Sequence, residues 1–199
     1  MPLETKTRAG IIIHSFAVAA ATWSALTATI PVIGPGLGDT AGLTLITIAM
    51  TYSLANLFGK KLEEGVMWSF GAVILGAVFG TSILKGVISL LPGVGSIANA
   101  AITFSLHEAI GWGLYLIFQA GGDPTKMTKA ELKEYINKGK KMAKEEKENY
   151  ENMMSKLPPD VRTKVEALQK KLGDKHISDN ERQSIIDEIE KLFETYATN

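Results

Sequence analysis

Charge in this 199-residue chain is segregated, and that segregation constrains the fold more than any motif does. Ala9 to Gly122 holds seven charged residues in 114 positions, namely Asp39, Lys60, Lys61, Glu63, Glu64, Lys85 and Glu108, whereas the other 85 positions hold 35. A stretch so poor in charge must hide most of its surface in protein or in lipid. The zero net charge, 21 basic against 21 acidic residues, is therefore the average of two unlike materials: an apolar module over 1–122 and a tail over 123–199 with 16 charges of each sign. Neutrality argues against a polybasic nucleic-acid binder, and without cysteine there is no disulfide, thiolate nucleophile or zinc–thiolate site.

Four apolar stretches make up the first material: Gly10–Ile33, Thr40–Phe58, Gly65–Leu84 and Val94–Ala120. About 20 apolar residues rising 1.5 Å each cover a hydrocarbon layer of about 30 Å, so each stretch is long enough to cross a bilayer. Breaks fall at Pro31–Asp39, at Gly59–Gly65 and from Lys85 through Leu91-Pro92-Gly93-Val94-Gly95. Ile30-Pro31-Val32-Ile33-Gly34 before the second stretch echoes Leu91-Pro92-Gly93-Val94-Gly95 before the fourth, which suggests two helical hairpins of similar plan. Each stretch also carries small residues four apart: Ala17, Ala21 and Ala25; Thr47, Thr51, Ala55 and Gly59; Ala72, Gly76 and Gly80; Ala101, Ser105, Ala109 and Gly113. Residues at that spacing share a helix face, and small ones let two backbones approach closely, so these are expected packing seams.

Basic residues orient the expected spans. Lys6 and Arg8 precede the first, Lys60 and Lys61 follow the second, and Lys126, Lys129 and Lys133 follow the fourth, against Lys85 alone on the opposite side. Four crossings would then place both termini in the cytoplasm. Shallow hairpins that enter and leave by one face satisfy the same counts. A cleaved secretory signal is a competing reading of the start, opposed by Glu4, by an overlong apolar run and by the three apolar stretches that follow.

The tail is punctuated as soluble helices. Thr128 with Glu131 is spaced as a capping box, Met127 and Leu132 as its hydrophobic staple, and Pro158-Pro159 ends the helix they open. Its thin inner seam reads Leu132, Ile136, Gly139, Ala143, Glu146, Tyr150, Met153, Leu157. Val161, Val165, Leu168 and Leu172 form a second stripe closed by Gly173; Ser178 with Glu181 caps a third helix carrying Ile185, Ile186, Ile189, Leu192 and Phe193. The expected fold is all-α, four apolar helices in two hairpins followed by a charged three-helix tail.

Chemistry-bearing motifs are few. Gly71 and Gly76 have the first half of a phosphate-loop spacing, but Ala77 stands where the lysine belongs, and the Gly34–Gly38 cluster has no strand before it. No catalytic constellation, cofactor motif or metal-ligand set emerges. The notable polar residues inside apolar sequence are His14, Lys85, His107 and Glu108, with Glu108 far from any other charge along the chain. An ionisable group at membrane depth is costly and points either to a structural pair or to a proton or cation path. Glu108 has Lys85, His14 or a protonated His107 as potential partners. Trp23, Trp68, Trp112 and Tyr115 are candidates for an interfacial aromatic belt, with core packing the simpler reading of Trp23 and Trp112.

Taken together, Ile13-His14-Ser15-Phe16, Ile30-Pro31, Gly38-Asp39, Leu57-Phe58-Gly59, Leu91-Pro92-Gly93-Val94-Gly95 and Ala109-Ile110-Gly111-Trp112 resemble the YcjF-like, GTPase-associated helical domain of unknown function. The resemblance covers about residues 10–120. It implies an all-helical, membrane-linked module and a GTPase as cytoplasmic partner; this chain departs in having no GTPase domain of its own. The leading expectation is a non-enzymatic membrane anchor or scaffold that contacts lipid, self-associates through its seams and docks a partner with its tail. A pore with Glu108 in the path is one alternative. A soluble protein whose buried apolar hairpins insert only when triggered is the other.

Overall fold

The computed structural model describes residues 3–27, 37–79 and 95–197. Within them lie seven helices: α1 Thr5–Thr27, α2 Leu37–Leu57, α3 Glu64–Phe79, α4 Gly95–Gln119, α5 Lys129–Lys156, α6 Pro159–Lys171 and α7 Asp179–Tyr196, with one 3-10 turn at Pro124–Lys126. No strand occurs among the described residues, so the protein is all-helical. Gly80, Lys85 and the Pro/Gly segments over 31–36 and 91–94 lie outside the described residues.

Local chemistry accounts for the tail helices. Thr128 accepts from the Glu131 amide while the Glu131 carboxylate accepts from the Thr128 amide, and Ser178 and Glu181 repeat the arrangement at α7. Leu157 sits at ψ 138°, the extended conformation that a following proline imposes, and so ends α5; Pro159 opens α6. Gly121 at φ +80° closes α4, a left-handed conformation that glycine adopts without steric cost.

Helix α1 lies at the centre. A helix apolar on all sides must be covered on all sides, and consecutive Ile11, Ile12 and Ile13 are all buried. Helix α4 runs antiparallel to it, His14 meeting Glu108 and Ser24 meeting Thr103. Helix α2 packs on both, its Thr47 beside His107. On the other flank lie α6, through Gln169 on Ser15, and α7, through Glu190 on Arg8. Helix α5 runs antiparallel along α4, and Gly139 brings the two backbones together: a Cβ there would collide with the Ala109 carbonyl and with the Gly113 backbone. The hydrophobic core is consequently continuous across Gly122, joining Phe16, Met50 and Trp112 to Ile136, Val165, Ile186 and Phe193.

The expected small-residue seams meet different fates. On α2, Thr47, Thr51 and Ala55 are buried, while Gly59 leaves the helix at φ +63°. On α1, Ala17 is buried and Ala21 and Ala25 are half-buried; on α4, Ala109 and Gly113 are buried and Ala101 and Ser105 half-buried. On α3, Ala72 and Gly76 face outward next to Trp68, which is 56% exposed. Helix α3 packs on α2 through the opposite face, where a Cβ on Gly71 would lie 2.9 Å from Thr44 Cγ2. Trp112 and Tyr115 are buried and Trp23 is half-buried against the core.

Candidate functional site

Two of the polar residues that the apolar sequence singles out, His14 and Glu108, converge where α1, α4 and α5 meet. His14 Nδ1 lies 3.0 Å from Glu108 Oε1, so Glu108 takes the α1 histidine as its partner. Trp112, one helical turn on, donates its indole N–H to Glu108 Oε2 at 3.2 Å. The His14 ring stacks on Tyr150 of α5 at 3.6 Å between centroids and meets the Phe104 ring edge-on at 5.0 Å. Gln169 of α6 then donates to the Tyr150 hydroxyl at 2.7 Å and lies 3.3 Å from Ser15 Oγ. Burial pushes the Tyr150 phenol well above its ordinary value, against the opposing effect of the Gln169 hydrogen bond. Its hydroxyl therefore stays neutral and serves as a hydrogen-bonding group.

Two ion pairs join the start of α1 to the tail. Lys6 pairs with Glu146 of α5; Arg8 presents Nε and Nη2 to Glu190 Oε2 of α7, both at 2.9 Å. Their carboxyls shift in opposite directions. Burial pushes Glu146 up, but the hydrogen bonds from Lys6 and Asn149 and the Lys6 charge outweigh it and hold the carboxyl below its usual range. Burial raises Glu190, and Arg8 offsets only part of that rise.

His107 belongs to another interface. Its Nδ1 is 2.9 Å from the Thr103 carbonyl and its Nε2 is 3.2 Å from Thr47 Oγ1, with the ring fully buried. A carbonyl only accepts, so Nδ1 carries the proton and His107 ties α4 to α2. His107 and Glu108 thus point apart, as neighbouring residues on a helix do. Among the described residues, no group of three His, Cys, Asp or Glu side chains is placed to hold a metal ion.

Above the Glu108 contacts runs a groove of ≈ 830 Å³ between α1, α4 and α5. Gly10, Ala101, Phe104, Trp112 and Met153 supply apolar surface, and Glu108 and His14 are its inner polar groups. Sequence reasoning placed His14 and Glu108 as possible partners and missed Tyr150, Gln169, Arg8 and Glu190 as the clasp around them. One signal was legible: Gly139 in mid-helix costs roughly 1 kcal/mol relative to alanine, and a close backbone approach repays such a glycine. Together these contacts tie α1 to α4, α5, α6 and α7 beside the groove. Comparison of the chain with protein-family models, curated proteins and solved structures finds no match.

Proposed function

We propose that this is a non-enzymatic, membrane-directed protein that stores two span-length helices beneath a charged helical sheath and delivers them to a bilayer when the sheath lets go. Two helical segments, Thr5–Leu26 and Ala100–Gln119, are long and apolar enough to cross a membrane. In this packing, 56% of the most apolar 18-residue stretch of the first and 72% of that of the second is buried inside the protein.

The observation that carries the reading is the course of α5 along α4. From the Gly113–Gly139 contact to the Glu108–Tyr150 region, α5 covers the middle of the helix that would cross, while its outer face exposes Lys141, Glu145 and Glu148. A charge at the centre of a bilayer costs about 2.5–3.5 kcal/mol on insertion scales. Three such charges would cost roughly 8–10 kcal/mol if α5 entered the bilayer with α4, so lipid and α5 compete for the same flank of α4. Gly121 and Gly122 give the chain a pivot directly after α4. Once α4 is released, its Ala101, Ser105, Ala109 and Gly113 face is free to pair with a second copy. The resemblance to a GTPase-associated module supports a cytoplasmic GTPase as the partner that takes up the freed tail.

The test is a cross-link. Cysteines at Lys6 and Glu146, bridged by a short bismaleimide, hold α5 against α1 in a chain that has no other thiol. The unbridged protein is expected to float with anionic liposomes and resist carbonate extraction, and the bridged protein to remain extractable. Equal carbonate resistance in both would overturn the sheath and support permanently embedded helices instead.

A further inference from the structure

We infer that the groove between α1, α4 and α5 is a binding site for an amphipathic organic cation, a protonated amine on an alkyl or aryl body. Three observations carry this. The first is size and lining: ≈ 830 Å³, with aromatic and small apolar residues around a few inward polar groups, is the form of a small-molecule site. The second is the state of Glu108. The residue is 9% exposed, and its Oε1 is fully enclosed yet accepts no hydrogen bond. The nearby His14 Nδ1 stands 3.0 Å from that oxygen without making a hydrogen bond to it. A carboxylate offers about four acceptor positions, and here Trp112 fills one. Glu108 is thus held by one indole hydrogen bond and the His14 contact, and a buried carboxylate so placed favours a cationic occupant that takes the place of His14. The third is the surround: Phe104 and Trp112 line the groove beside Tyr150, whose face His14 covers, and aromatic rings attract an ammonium.

The lysines at the edge do not reverse this preference. Lys6 is committed to Glu146 and Lys147 to Glu151, which leaves Lys140 and Lys144 along one side of α5. Those two define the competing occupant, an anionic amphiphile with its head at the rim. The amine instead places its head at Glu108, shifting the His14 ring from Oε1, and its body along Phe104, Ala101 and Met153. Since the walls come from both sides of the α4–α5 contact, an occupant adds its binding free energy to the closed packing.

Calorimetric titration of the full chain at neutral pH with octylamine, octanol and octanoate separates the possibilities. Saturable binding of octylamine, at least about tenfold tighter than either of the other two, is expected from one charge-assisted hydrogen bond. Glu108→Gln, which keeps an acceptor for Trp112, should weaken octylamine by a similar factor and leave octanol unchanged. Ala101→Leu fills the groove with Glu108 intact and should abolish octylamine binding without loss of helical circular dichroism. Octanoate binding that is tighter than octylamine and lost in Lys140→Ala or Lys144→Ala would overturn the proposal, as would octylamine binding indifferent to Glu108→Gln.

Discussion

Helices α3 and α4 carry the same kind of small-residue spacing and use it in opposite ways. On α4, Ala109 and Gly113 meet the α5 backbone at Gly139. On α3, Ala72 and Gly76 face outward, and among the described residues nothing lies within 4 Å of a Cβ at Gly76. The difference teaches that a stripe of small residues permits close approach without causing it. What supplies the partner is a second stripe of matching shape, and α5 provides one even though its other face is charged.

The largest expected effect falls on that contact. Gly139→Ala puts a Cβ against backbone atoms that have no rotamer to escape into, so α4 and α5 must separate; a loss of about 3 kcal/mol, the upper range for overpacking, is expected in thermal unfolding followed by circular dichroism. Under the sheath reading the same variant should bind liposomes more readily than the unmodified chain. Gly113→Ala is milder, because its Cβ would stand 3.0 Å from Ile136 Cα and Tyr135 O; about 1–2 kcal/mol is expected, and additivity with Gly139→Ala would show that the two glycines do not serve one contact. Gly76→Ala should change sign, stabilising by about 0.5–1 kcal/mol through helix propensity alone. A loss there would mean that the α3 face is covered in solution, and the comparison would fail.

The smallest effect concerns the ion pairs of α1. Glu190 has its carboxyl raised above 4.5 by burial, so its contribution to stability is complete below that value and is lost as pH rises through the raised value. Glu146, held low, behaves oppositely and loses its contribution as pH falls. Glu190→Gln should therefore differ little from the parent at pH 4 and become relatively more stable toward neutrality, by less than about 1 kcal/mol, as read from urea midpoints across pH. A constant difference across that range would show that Glu190 titrates normally.

Local features were legible before the fold was known. Thr128 with Glu131 and Ser178 with Glu181 form the capping boxes their spacing announces, and Leu132, Ile136, Gly139, Tyr150 and Leu157 of the thin α5 seam are all buried. Both follow from short-range periodicity. The clasp was legible only in outline: His14 was one of several partners open to Glu108, and nothing in the spacing chose among them. Tyr150 and Gln169 gave no signal, because an aromatic in a helical stripe and a glutamine in a charged helix are ordinary residues until the helix registers bring them together.

The sequence by itself determined that the chain is helical, where its tail helices begin and end, and that residues 9–122 must hide most of their surface from water. Tertiary structure alone decided that α4 and α2 cover most of α1, with α6 and α7 on its other flank, that α5 covers α4, and that Glu108 lies against His14. The reason lies in the forces. Burial of apolar surface is non-directional and is satisfied equally by lipid or by protein, so composition demands a cover without naming it. The cover is set by close steric fit, as at Gly113 and Gly139, and by pairwise polar contacts such as Arg8 with Glu190, and those exist only once the helices have taken their places.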